Sequence, residues 1–134
     1  MKLKFILLLS TLLLSQSIFA VAPETCPAAN LLASTVFDFS KTNWQNYYFT
    51  VKAESRDYDN SGVEWELISD DVIATSTDEA IQYSNTAVKH LQFVNGPVFR
   101  ESGYTTTGHR WALYDCNYRD SAGIRFYAVY DDDN

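Results

Sequence analysis

From Ser76 to Phe93 the chain reads STDEAIQYSNTAVKHLQF, and Ala80, Ile81, Ser84, Ala87, Val88 and Leu91 fall on one stripe at helical spacing. Ser76 suits the N-cap, with Glu79 three residues on to complete a capping box. Lys89 and His90 sit where cations favour the negative end of the helix dipole, and Asn95-Gly96-Pro97 is a stop signal. A helix over 76–93 is therefore expected. The other segments alternate with period two. Tyr47, Phe49, Val51 and Ala53 form one face of a first strand, with Tyr48, Thr50, Lys52 and Glu54 on the other. Val63, Trp65 and Leu67 alternate with Glu64 and Glu66 in a second strand, which Ser69-Asp70-Asp71 should end.

The turn residues of Arg56 to Gly62 make these two strands a hairpin. Setting Lys52 opposite Glu66 would also oppose Glu54 and Glu64, so Lys52 opposite Glu64 is the expected register. Three more strands follow the helix: Pro97–Ser102, His109–Tyr118 and Ile124–Tyr130. Val36–Phe39 fits either a brief strand or an extended anchor. The pattern implies an α+β domain, β-β-α-β-β-β, with an antiparallel sheet of about five strands and one long helix on a face. His109–Tyr118 is apolar on both sides. The helix is expected over one of them and the segment around Cys26 over the other.

Residues 1–20 do not belong to that domain. Lys2 and Lys4 precede an apolar run and small residues, the pattern of a secretory signal peptide with cleavage after Ala20. Ser10, Ser15, Gln16 and Ser17 interrupt the run too early for a membrane span. The expected product is a single exported domain, residues 21–134, periplasmic or secreted and without a membrane anchor. Losing Lys2 and Lys4 takes the net charge from −7 to −9. Such acidity disfavours nucleic acid and anionic lipid as partners.

Cys26 and Cys116 are the two cysteines, and in an exported protein they are expected to pair. His109 lies seven residues before Cys116, on the opposite face of a regular strand, which suits a thiol–base pair poorly.

Catalytic motifs are missing. There is no G-x-S-x-G, H-E-x-x-H, C-x-x-C or phosphate-binding glycine loop, and nothing points to a cofactor. His90 and His109 read as surface residues. Asp57, Asp59 and Ser61 match the first half of a calcium loop, but position twelve is Ile68 and the flanks read as strands. A hairpin turn accounts for the same residues, so no metal is assigned. Aromatic residues are in excess at 15%. Trp44, Tyr48, Tyr58 and Tyr104 fall in loops or at outward positions among polar residues, and form a candidate surface for a protein or carbohydrate partner.

Cys26-Pro27, Trp65, Glu79-Ala80, Asn85, Leu91, Gly96-Pro97, Tyr114-x-Cys116-x-Tyr118 and the closing AGIRFYAVY occur in that order. In this the chain resembles a group of small exported proteins of unknown function from Legionella and its relatives. The resemblance implies an exported domain and carries no catalytic residue over. The expected role is non-enzymatic binding; the competing role is a small hydrolase with an Asp/Glu carboxylate site, whose partners would meet only in the fold.

Overall fold

A computed structural model describes residues 22–43 and 47–132. The signal segment 1–20 and Trp44 lie outside the described residues. Among the described residues, six strands form one antiparallel sheet: β1 (Phe39–Thr42), β2 (Tyr48–Lys52), β3 (Glu66–Ile73), β4 (Gln92–Tyr104), β5 (Arg110–Arg119) and β6 (Arg125–Asp131). A short helix α1 (Ala29–Leu32) precedes β1, and the main helix α2 (Thr77–Ala87) links β3 to β4. The sheet order is β1-β2-β3-β6-β5-β4. Two three-stranded meanders therefore meet where β3 pairs with β6, and α2 carries the chain from the seam to the far edge. The class is α+β as expected, but the order is β-β-β-α-β-β-β, with Phe39–Thr42 as an extra edge strand.

Helix α2 begins as its sequence dictates. Ser76 Oγ accepts from the Glu79 amide at 3.1 Å, and Glu79 Oε2 accepts from the Thr75 amide at 2.6 Å. The Thr75 hydroxyl, which also donates to Glu79 Oε2, and then the Thr75 amide hold the Glu79 carboxyl below its ordinary pKa, against desolvation. The stripe is buried at Ala80, Ser84, Ala87, Val88 and Leu91. The helix does not reach Phe93: it tightens into a 3-10 turn over Val88–His90, and Leu91 is already extended. Gln92 and Phe93 pair instead with Arg119 and Tyr118 of β5. Helix propensity is a weak prior, and the strand pairing overrides it.

The hairpin register also differs from both expected alternatives. Lys52 faces Ile68, and its ion pair with Glu66, 3.3 Å, runs diagonally. Glu54 and Glu64 lie beyond the ladder, so the repulsion used to choose a register does not arise. Ser69-Asp70-Asp71 does not end β3. Phe49 faces Val72 and Val51 faces Ser69, so Asp70 and Asp71 together oppose Thr50 in a bulge. Asp71 takes φ 58, tolerable for Asp. The extra residue returns Val72 to the buried face beside Leu67 and Ser69.

One face of the sheet is the core. Phe49, Val51, Leu67, Val72, Cys116, Tyr118, Phe126 and Ala128 lie there, each under 2% exposed, beneath α2 and the N-terminal segment. That segment covers the same face as the helix, not the opposite one. Cys116 and Tyr118 point to the core side, and they are what hold it. The Cys26–Cys116 disulfide is formed, and Tyr118 OH donates to the Pro27 carbonyl at 2.5 Å. Asn85 of α2 then imitates a strand: it accepts from Phe37 N at 2.8 Å and donates to Phe37 O at 3.2 Å. Phe37 packs edge-on against Phe126. Gly96, at φ +129 on a cis Gly96–Pro97 bond, allows β4 to pass the disulfide, since a Cβ there would stand 2.6 Å from Asp115 O. Proline inside β4 is tolerated because β4 is an edge.

Candidate binding groove on the open face

With helix and N-terminal segment both on one side, no described helix or strand covers the other face. Its side chains come from the alternate positions of each strand, and two of the register shifts in the sheet add to it. In β3 the bulge turns Asp70 toward Thr50. In β4 the register shift between Phe99 and Glu101 places Arg100 where it can reach over β5.

These residues make one polar chain across five strands. The Thr50 hydroxyl on β2 lies 2.7 Å from Asp70 Oδ1 and 3.1 Å from Asn43 Oδ1, and its single proton can serve either. Tyr127 OH on β6 donates to Asp70 Oδ2. The Arg100 guanidinium stands 4.8 Å above the Tyr127 ring and donates from Nε to Asp115 Oδ2 at 2.6 Å. Burial, then Asp70, pushes the Tyr127 phenol well above its ordinary pKa, so it acts as a donor throughout the physiological range. Burial alone would weaken the Arg100 charge, but the hydrogen bond and charge of Asp115 outweigh it and its pKa is raised.

Arg100 divides the face into two hollows. The first, about 290 Å³, has Ile68, Val129 and Leu113 as an apolar floor and Lys52, Glu64, Glu66 and Asp131 around it. Ile68 and Val129 are only 7% and 9% exposed although no described secondary element covers them; Lys52, Glu64, Glu66, Arg100 and Asp131 line the hollow with them. The second, about 330 Å³, is polar, with Asp70, Asp71, Asp115, Asn117, Arg125 and Tyr127. Asp115 Oδ1 is buried and has no hydrogen-bond partner among the described residues.

The surface expected from aromatic residues does not assemble. Tyr58 is 8% exposed, its OH accepts from Thr35 Oγ1 at 3.0 Å, and Arg56 lies over its ring. It is a core residue, drawn in where the loop meets Thr35. Tyr104 is 74% exposed on β4 and Tyr48 half-buried on β2. Three strands separate them, roughly 19 Å across the sheet. The calcium-like loop is folded by Asp57 itself, which accepts from the amides of Gly62 (2.7 Å), Ser61 (3.1 Å) and Asp59 (3.3 Å). The Gly62 amide leads in holding this carboxyl below its ordinary pKa, against desolvation and with help from Ser61 and Asp59. No group of three or more His, Cys, Asp or Glu able to hold a metal occurs among the described residues.

Sequence reasoning missed Asp70, Arg100, Asp115 and Tyr127 as a group, because β2, β3, β4, β5 and β6 each contribute to the face. The alternation of Asp115, Asn117 and Leu113 against Cys116 and Tyr118 was the available signal for one strand of it. Comparison with protein-family models, curated proteins and solved structures finds no match to this chain.

Proposed function

We propose that the chain is an exported, disulfide-bonded domain that acts by binding, without catalysis, and takes its ligand in the groove divided by Arg100. The observation that carries this reading is Asp115: one oxygen is held by Arg100, while the other is a buried acceptor without a donor among the described residues. Buried polar groups left unsatisfied are costly, so a ligand N–H or O–H delivered to Oδ1 would be rewarded. A ligand that also rests an apolar part on Ile68, Val129 and Leu113 would engage both sides of Arg100. A peptide or a carbohydrate of the partner could supply those groups. Export is supported by the leader pattern, by the disulfide, which suits an oxidising compartment, and by the resemblance to small exported proteins of Legionella and its relatives. No helix among the described residues is long and apolar enough to cross a membrane.

The test is an NMR titration of the ¹⁵N-labelled protein with short peptides and oligosaccharides, repeated on Arg100→Ala and Asp115→Asn. Shifts confined to Tyr127, Asn117 and their neighbours, and lost in both variants, are expected. Binding that both variants leave intact would refute the groove. The hydrolase reading would use Glu64, Glu66 and Asp131, which rim one hollow; recovery of a cleaved ligand would replace binding by hydrolysis. Fractionation of the producing bacterium would test export, and cytoplasmic retention would overturn it.

A further inference from the structure

The polar hollow, about 330 Å³, offers charges of both signs that the chain leaves without partners. Asp115 is half engaged. An arginine that meets a carboxylate squarely donates to both of its oxygens. Arg100 instead gives Asp115 only its Nε, 2.6 Å from Oδ2, while its guanidinium carbon lies 4.8 Å from the centre of the Tyr127 ring. Oδ1 remains a buried acceptor with no donor among the described residues. Asp70, on β3 and across β6 from Asp115, accepts from the Thr50 and Tyr127 hydroxyls, and no cation pairs with it among the described residues. Arg125 lines the same hollow and likewise makes no ion pair among the described residues.

We propose, resting on the reading of this groove as a binding site, that the polar hollow takes a small zwitterion of dipeptide length, its ammonium on Asp115 Oδ1 and its carboxylate on Arg125. Charge complementarity carries the choice. A ligand with only a cation would face Arg125 uncompensated, and one with only an anion would leave Oδ1 unsatisfied and meet Asp70 and Asp71. An ammonium beside Arg100 adds a second cation to Asp115, and Asp70 and Asp71 in the same hollow balance it. The register sets the length. Asp115 pairs with Val129, and Arg125 stands four residues from Val129 on β6, about 13 Å of strand. The Arg125 side chain spans part of that distance. What is left suits charges several bonds apart, as in a dipeptide or an ω-amino acid, and not charges on one carbon, as in an α-amino acid.

An NMR titration of the ¹⁵N-labelled, disulfide-bonded protein with L-alanyl-L-alanine tests this. Shifts at Asn117, Arg125 and Tyr127 are expected, with a dissociation constant of about 1 mM or below. Acetylating the amine or amidating the carboxylate should weaken binding about ten-fold or more, and L-alanine should bind as weakly as the capped forms. The compound δ-aminovalerate keeps the span without the peptide group: binding as tight as the dipeptide's assigns the ω-amino acid class, and weaker binding assigns the dipeptide. Arg125→Gln should make the dipeptide and its amide bind equally, and Asp115→Asn should do the same for the dipeptide and its acetyl form. Arg125 is exposed, so its variant keeps the test open should Asp115→Asn misfold. No shift with any zwitterion up to about 20 mM, capped dipeptides that bind as well as the free one, tighter binding of L-alanine, or preferences that both variants retain would each overturn the assignment. Longer peptides or oligosaccharides that shift the groove where zwitterions do not would overturn the zwitterion and keep the groove; silence from all of them would overturn both.

Discussion

Replacing Cys26 and Cys116 together by alanine isolates what the cross-link does for this fold. The two cysteines are 90 positions apart, so the bond closes nearly the whole domain into a loop. Chain-entropy reasoning for a loop of that size gives about 4–5 kcal/mol, from restriction of the unfolded chain. Native contacts that hold the same segment survive the change: Tyr118 OH on the Pro27 carbonyl, Asn85 on both backbone groups of Phe37, and Phe37 against Phe126. They keep the segment in place once folded, but they place no restraint on the unfolded chain. The variant should therefore fold to the same structure and be less stable by about 4 kcal/mol, a large part of a typical 5–15 kcal/mol.

Urea unfolding, followed through Trp65, which is 1% exposed, measures this directly. Two quantities must move. The free energy in water should fall, and the m value should rise, because an uncrosslinked unfolded chain exposes more surface. A loss below about 1 kcal/mol would refute the entropic argument. A large loss with unchanged m would refute it differently, assigning the effect to packing around Cys116 instead.

Gly96→Ala should cost about 3 kcal/mol or more, because it adds strain at φ +129 to a Cβ 2.6 Å from Asp115 O and 2.9 Å from Cys116 Cα. Gly123→Ala, at φ +85 with nothing within 4 Å, should cost about 1 kcal/mol, and equal losses in urea would refute the steric account. Tyr83 is pushed up to about 12, by burial first and then by its hydrogen bond to Asp120. Its folded pKa lies above the unfolded value near 10, so its contribution is complete below pH 10 and is lost as pH rises through about 12. Melting temperatures from pH 9 to 12 should fall less steeply in Tyr83→Phe, and identical slopes would show that Tyr83 is not the titrating group.

The legible parts of this fold were those fixed by neighbours in sequence. The cap of α2 depends on Ser76 and Glu79, three residues apart, and its buried stripe on a period that the chain itself displays. Alternation likewise exposed the buried sides of β2, β5 and β6. Long-range pairing was hidden. Gln92 and Phe93 read as helix because nothing local reveals that β5 offers them partners. Tyr58 read as surface because its neighbours are Asp57 and Asp59; the burying contact, with Thr35, lies 23 residues away. The disulfide was an exception, two cysteines leaving one pairing. The groove was invisible for a related reason: Asp70, Arg100 and Asp115 are each ordinary polar residues, and only the sheet order brings them together.

Why this face remained open follows from how the chain spends its covering elements. Both α2 and the N-terminal segment lie on the side of Cys116 and Tyr118, and Asn85 ties one to the other. An antiparallel sheet tolerates water on its second face, so openness alone argues nothing. The bulges do. A solvated face could be built from regular strands, yet the irregularity at Asp70-Asp71 and that beside Arg100 both place charged side chains onto it. Bulges are over-represented at sheet edges, as in β4, and next to active sites, where they re-aim a side chain. Here two of them, on strands at different positions in the sheet, converge on one network through Tyr127. Asp115 Oδ1, buried with no donor among the described residues, is the acceptor of this network that a ligand N–H or O–H would satisfy. That acceptor lines the polar hollow beside Arg100, where a donor on a bound ligand would satisfy it.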